Sequence, residues 1–168
     1  MILVSYDGSA DARAAIDHVA RVLPGAEATV LTVWEPQRDY DGSIGIGRGL
    51  VGVYDPDPEQ DAARQKVATA CAAEGAALAT EAGLVAVPRT AERHQGTAET
   101  ILAVAGELDA SVVALGTRGL GGVRGWLLGS VSHAVVQQAD RAVLIVPSRG
   151  VADQRRGVAQ LADEAPEA

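Results

Sequence analysis

Residues 111–146 read SVVALGTRGLGGVRGWLLGSVSHAVVQQADRAVLIV, and three hydrophobic patterns succeed one another within them. Residues 111–115 (SVVAL) are a short branched apolar run of the kind buried in a parallel sheet. Residues 116–129 hold six glycines in fourteen positions, a composition that sustains neither helix nor strand. Residues 130–139 then place Val131, Val135 and Gln138 at helical spacing, and residues 142–146 (AVLIV) form a second apolar run closed by Pro147. Strand, loop, helix and strand in so short a stretch predict two parallel strands joined by a crossover helix.

The same alternation extends back to the N-terminus. Residues 1–6 (MILVSY) read as a buried strand, and Ser9 in Asp7-Gly8-Ser9 is placed to cap a helix. Ala12, Ala15, Ile16, Val19, Ala20 and Leu23 recur at helical spacing until Pro24-Gly25 stops the run. Residues 28–34 (ATVLTVW) are the second strand. Residues 36–57 hold five glycines and two of the three tyrosines, so a long loop is predicted there. An alanine-rich helix follows over residues 59–82, with Ala63, Val67, Ala70, Cys71, Glu74 and Leu78 near one face. Residues 84–93 begin as a strand and end polar. Thr97 is read as the cap of a third helix whose apolar face is Ala98, Ile101, Leu102, Ala105 and Leu108. The whole is an α/β chain, a doubly wound parallel sheet of five strands covered on both faces. One domain is expected over residues 1–147, with residues 148–168 a flexible tail of alanine and charge.

Composition sets the limits on function. Of 168 residues 48% are hydrophobic and 21% charged, which is ordinary globular usage. No apolar stretch approaches the roughly 18 residues a membrane span needs, and the apolar N-terminus carries no basic region, so neither span nor signal peptide is expected. Cys71 is the single cysteine, so no internal disulfide or cysteine cluster forms; His18, His94 and His133 are scattered, which argues against structural zinc. Fourteen basic against twenty-two acidic residues leave a net charge of −8, with no basic patch for nucleic acid. A cytoplasmic, reduced-compartment domain is expected.

Ligands of such sheets lie beyond the carboxyl ends of strands, where the strand order reverses. Two segments there carry binding chemistry: Asp7-Gly8-Ser9 and the loop from Gly116 to Ser132. A glycine turn leading into Gly129-Ser130 at a helix start is an anion site, with unpaired amides and the dipole favouring phosphate. Ser130 and Ser132 add hydroxyls. Blander readings compete: Asp7 as a turn residue, the glycines as close packing, Thr117 and Arg118 as solvent-facing loop. Ser132 beside His133 lacks the glycine-flanked elbow of a serine hydrolase. Residues 47–52 match Gly-x-Gly-x-x-Gly, but no clear strand precedes them and Asp55-Pro56 follows instead of a helix, so a dinucleotide site fails on context. No Gly-Lys-Ser/Thr exists, and Lys66 is the only lysine.

The spacing Gly-x2-Gly-x9-Gly-Ser over Gly116, Gly119, Gly129 and Ser130 resembles the ATP-binding branch of the universal stress protein family. The resemblance covers residues 1–147, including Val4-Ser5-Tyr6-Asp7-Gly8-Ser9, Val33, Gly96-Thr97 and Val143-Leu144-Ile145-Val146-Pro147. It implies a Rossmann-like sheet of order 3-2-1-4-5, akin to the adenine nucleotide alpha-hydrolases, with ATP and its Mg2+ across strands one and four. Asp7 would face the ribose and phosphates, Val33 the adenine, and Ser5 would sit beside the base. Gly116, Gly119, Gly129, Ser130, Val131 and Ser132 would hold the phosphates, with Thr117 and Arg118 in the same loop and Arg118 offsetting charge. An ATP-binding stress-response regulator is implied, rather than a dedicated catalyst, with slow hydrolysis or autophosphorylation at most. Cyclic AMP in the same cleft, or a nucleotide-free interaction module, are the alternatives. With that strand order residues 142–147 form an uncharged edge, which predicts a homodimer.

Overall fold

The computed structural model describes residues 1–36, 58–117, 119, 128–153 and 156. In chain order the elements are β1 (Ile2–Ser5), α1 (Ala10–Val22), β2 (Glu27–Trp34), α2 (Pro58–Glu81), β3 (Val85–Glu92), α3 (Thr97–Glu107), β4 (Val112–Gly116), α4 (Ser130–Gln138) and β5 (Ala142–Val146). All strands are parallel in one sheet of order β3-β2-β1-β4-β5. The α/β expectation and the strand order implied by the resemblance both hold.

Side chains along each strand alternate between two cores. Ile2, Val4, Tyr6, Ala28, Val30 and Ala114 pack with α1 and α2 on one face. Leu3, Leu31, Val113 and Leu115 pack with α3 and α4 on the other, around Ile101, Val104 and Val135. The runs of branched residues read in the sequence are continuous because both faces of these strands are covered.

Two local expectations are corrected. The cap of α3 is Gly96, in extended backbone, and Thr97 is its first helical residue. Thr100 supplies the hydroxyl there, donating to the Gly96 carbonyl at 2.8 Å. On α2 the buried face is Ala68, Ala72, Gly75, Ala76 and Ala79, whereas Val67 is 71% exposed and Ala63 and Ala70 also face outward. The reason is steric. A Cβ on Gly75 would stand 2.7 Å from the Tyr6 ring and 2.8 Å from Val30 Cγ1, so the helix lies too close to the sheet for large side chains.

Tyr6 joins the two helices of that face. Its hydroxyl donates to Glu74 Oε1 at 2.8 Å and accepts from Arg13 Nε at 3.2 Å, while Arg13 pairs with Glu74 at 2.8 Å. The long loop predicted over residues 36–57, with its Gly-x-Gly-x-x-Gly match, lies outside the described residues apart from Pro36. In the C-terminal stretch residues 149–153 are helical, Ala152 N bonding Ser148 O at 2.9 Å.

The central strands β1 and β4 are neighbours. The chain leaves β1 through α1 on one face and reaches β4 through α3 on the other, so a crevice opens beyond their carboxyl ends.

Candidate functional site

The crevice starts with the turn after β1. Asp7 Oδ1 accepts the Ser9 amide at 3.0 Å, and Ser9 Oγ accepts the Ala12 amide at 3.2 Å to cap α1. Between them Gly8 has φ +82°, which a side chain would strain. The turn-residue reading of Asp7 is therefore correct for one of its oxygens. The other points across the crevice: a Cβ on Gly119 would lie 2.6 Å from Asp7 Oδ2. Two segments more than a hundred residues apart in sequence thus meet through a carboxylate and a bare backbone.

The junction of β4 with the loop that follows it, at Gly116 and Thr117, is held from three sides. A Cβ on Gly116 would come within 2.6 Å of the Asp11 backbone carbon and 2.9 Å of the Ala12 nitrogen, so this glycine permits close packing of α1 on β4. Thr117 follows and is 1% exposed, not solvent-facing. Its hydroxyl donates to Asp11 Oδ2, its amide donates to the Val146 carbonyl at 3.1 Å, and its carbonyl accepts both the Gly129 amide at 2.7 Å and Ser132 Oγ at 2.9 Å. Ser132 is buried, and its single hydroxyl proton is shared between that carbonyl and the Gly129 carbonyl, also at 2.9 Å.

Gly129 caps α4 in extended backbone with no side chain to fill the cap. The first intrahelical bond closes from the His133 amide to the Gly129 carbonyl at 2.9 Å. The amides of Ser130, Val131 and Ser132 precede it, so no carbonyl within α4 lies one turn back to accept them. Ser130 is exposed and Val131 half-buried at this helix start. A helix start capped by a bare glycine, at the positive end of the dipole, can hold an anion.

At the other side of the crevice Ser5 ends β1 opposite Leu31, and Val33 lies two residues further along β2 opposite Ala91. Both are half-buried. Cys71 on α2 borders the same region, with its Sγ 3.9 Å from a Cβ built on Gly8. Burial pushes its thiol above the usual cysteine range, opposed by a hydrogen bond with Thr32. Ser5, Asp7, Val33, Gly116, Thr117, Gly119, Gly129, Ser130, Val131 and Ser132 all stand at the carboxyl end of the sheet; Arg118 lies outside the described residues. The sequence reading missed Asp11. An acid in a helix's first turn ordinarily reads as an exposed dipole partner, yet this one is 6% exposed.

A doubly wound α/β domain with a crevice at its switch point, beyond the carboxyl ends of β1 and β4, is the class that this fold defines. The profile of the universal stress protein family matches residues 1–147, and the chain belongs to that family. A universal stress protein of Thermus aquaticus, encoded in the QAH/OAS sulfhydrylase 3′ region, is 36% identical over 149 residues, covering 86% of this chain and 96% of that one. Solved structures agree in fold. A universal stress protein in complex with cAMP superposes with a TM-score of 0.60 at 24% identity, over 88% of this chain and 96% of that one. An Arabidopsis thaliana family member with AMP bound gives 0.56 at 14% identity, over 99% and 95%. The Archaeoglobus fulgidus protein in complex with dAMP gives 0.53 at 19%, over 86% and 95%.

Proposed function

We propose that this chain is an ATP-binding stress-response regulator that binds nucleotide far better than it turns it over. The observation that carries this reading is the meeting of Asp7 and Gly119 at the carboxyl end of the sheet, with α4 capped by a bare Gly129. A side chain at position 119 would fill the gap, so the backbone there is free to approach a ligand. Asp7, Gly119, Gly129, Ser130 and Val131 line the pocket for ribose and phosphates. Gly116, Thr117 and Ser132 hold the loop in shape, Val33 and Ser5 border the base, and Arg118 offsets phosphate charge.

The residues present fit a nucleotide triphosphate. Magnesium would arrive on the phosphate oxygens, since among the described residues no group of three or more His, Cys, Asp or Glu could hold an ion. Relatives in complex with cAMP, dAMP and AMP support adenine, ribose and phosphate as the shared ligand chemistry. Cyclic AMP is the second reading, favoured by the relative that holds it. The net charge of −8 gives no general attraction for a polyanion, so affinity comes from local donors. A cytoplasmic location and a homodimer through residues 142–147 complete the reading; no helix among the described residues is long and apolar enough to cross a membrane.

Titration calorimetry of wild type and Gly129→Glu against ATP, ADP, AMP and cAMP tests it. Wild type is expected to bind ATP with magnesium, and the glutamate to abolish binding by placing like charge at the α4 start. Equal binding by both proteins would refute the phosphate-loop assignment, and binding of cAMP alone would transfer the site to the second reading. Steady-state hydrolysis is expected far below the roughly 10 per second of ordinary enzymes, because the one carboxylate among the assigned residues, Asp7, is tied to its own turn through the Ser9 amide and is assigned to ligand binding, and no histidine or lysine stands among them.

A further inference from the structure

We infer that Asp11 is a positioning residue for the glycine loop, acting through Thr117 without touching the nucleotide. The inference rests on the nucleotide assignment above and goes beyond it to a residue outside the family spacing. Thr117 is the joint between β4 and the loop. Its carbonyl accepts the Gly129 amide at 2.7 Å and Ser132 Oγ at 2.9 Å, so the orientation of this one peptide sets where α4 begins. A threonine side chain has competing rotamers, and its hydroxyl could satisfy itself on nearby backbone instead. Asp11 Oδ2 removes that choice by accepting the Thr117 hydroxyl in a bond between buried groups. A bond to a carboxylate is stronger and more directional than one to a neutral acceptor.

The geometry leaves Asp11 little freedom. A Cβ on Gly116 would strike the Asp11 backbone, so α1 is pressed against the end of β4 at this residue. Asp11 therefore fixes Thr117 from a rigid helix, and Thr117 fixes Gly129 and Ser132 at the start of α4. The plain alternative is that Asp11 only complements the dipole of α1. The two roles depend on different properties, the dipole on charge and the loop on an acceptor for the Thr117 hydroxyl.

Calorimetric titration with Mg-ATP of a set of full-length variants separates them. Asp11→Ala and Thr117→Val are each expected to weaken binding about tenfold, whereas Asp11→Asn and Thr117→Ser stay within about twofold of wild type. The Asp11→Ala/Thr117→Val double variant is expected to lose no more than either single change, since both break one link. Should Asp11→Ala fail to fold by circular dichroism, the isosteric Thr117→Val against Thr117→Ser decides by itself. Wild-type affinity in Thr117→Val, or losses that multiply in the double variant, would overturn the inference and leave the nucleotide site standing. If wild type binds none of ATP, AMP and cAMP, the nucleotide site is refuted, and the positioning role with it.

Discussion

Gly116 and Gly106 show how one residue type answers to opposite constraints. A Cβ at position 116 meets backbone of α1 at 2.6 Å, and backbone cannot step aside as a flexible side chain does. At Gly106, inside α3, a Cβ would find only Arg141 Nη2 at 3.9 Å, an ordinary contact. Gly116→Ala is expected to cost about 1–3 kcal/mol by overpacking, and Gly106→Ala to add about 0.5–1 kcal/mol by raising helix propensity. Urea melts of the two variants check both signs. Ionisation offers a further residue-scale expectation. Burial and the bond to Glu74 raise the Tyr6 phenol above its ordinary 10.0, and burial raises the Cys71 thiol above its ordinary 9.0. The unfolded chain then loses these protons first, so stability is intact below the ordinary values and falls as pH climbs through them toward the folded ones. Denaturant melts across that alkaline window should show the decline, and Tyr6→Phe combined with Cys71→Ala should flatten it. Stability unchanged by the double substitution at every alkaline pH would contradict the assignment.

Among the elements α2 departs furthest from its reading in the sequence. Alanine on every side gives the helix no apolar stripe, so periodicity alone could not choose its inward face. The sheet chooses it. Tyr6 and Val30 rise beneath Gly75, and only the small-residue face fits above them. Ala76→Leu is accordingly expected to destabilise by about 1–3 kcal/mol, while Val67→Lys, on the exposed face, should stay within about 0.5 kcal/mol of wild type. A thermal melt in which Val67→Lys proved the more damaging would reverse the orientation of the helix. By contrast α1 carries Ile16, Val19 and a serine cap, and its inward face was legible because those side chains differ from their neighbours.

For the whole molecule the open question at the sheet's margins is which edge pairs. On β3 the edge carries Pro88, which has no amide to donate, and Arg89, which pairs with Glu107 on α3. Both devices discourage a further strand. On β5 the residues Ala142–Val146 hold no charge or proline, and Val143, Leu144 and Ile145 are only half-buried in the single chain. The homodimer proposed above would join β5 to its two-fold mate in an isologous contact. Leu144→Lys is expected to sediment as a monomer where wild type sediments as a dimer. Wild type that stays monomeric at high micromolar concentration would remove the edge as an interface.

Hydrophobic periodicity and turn chemistry alone determined the strand–helix alternation, because branched apolar runs and glycine punctuation are local signals. The glycine spacing, read as a resemblance, led to the family and singled out Asp7, Gly119 and Gly129 as candidates. The tertiary structure decided what depends on contact between distant segments. It turned α2 by the room above Tyr6, and it gave Asp7 two roles, one oxygen for its own turn and one facing Gly119. It also buried Thr117 and brought Asp11 to it across more than a hundred residues. A carboxylate in a helix's first turn looks the same in sequence whether water or a threonine hydroxyl meets it, and only packing distinguishes the two.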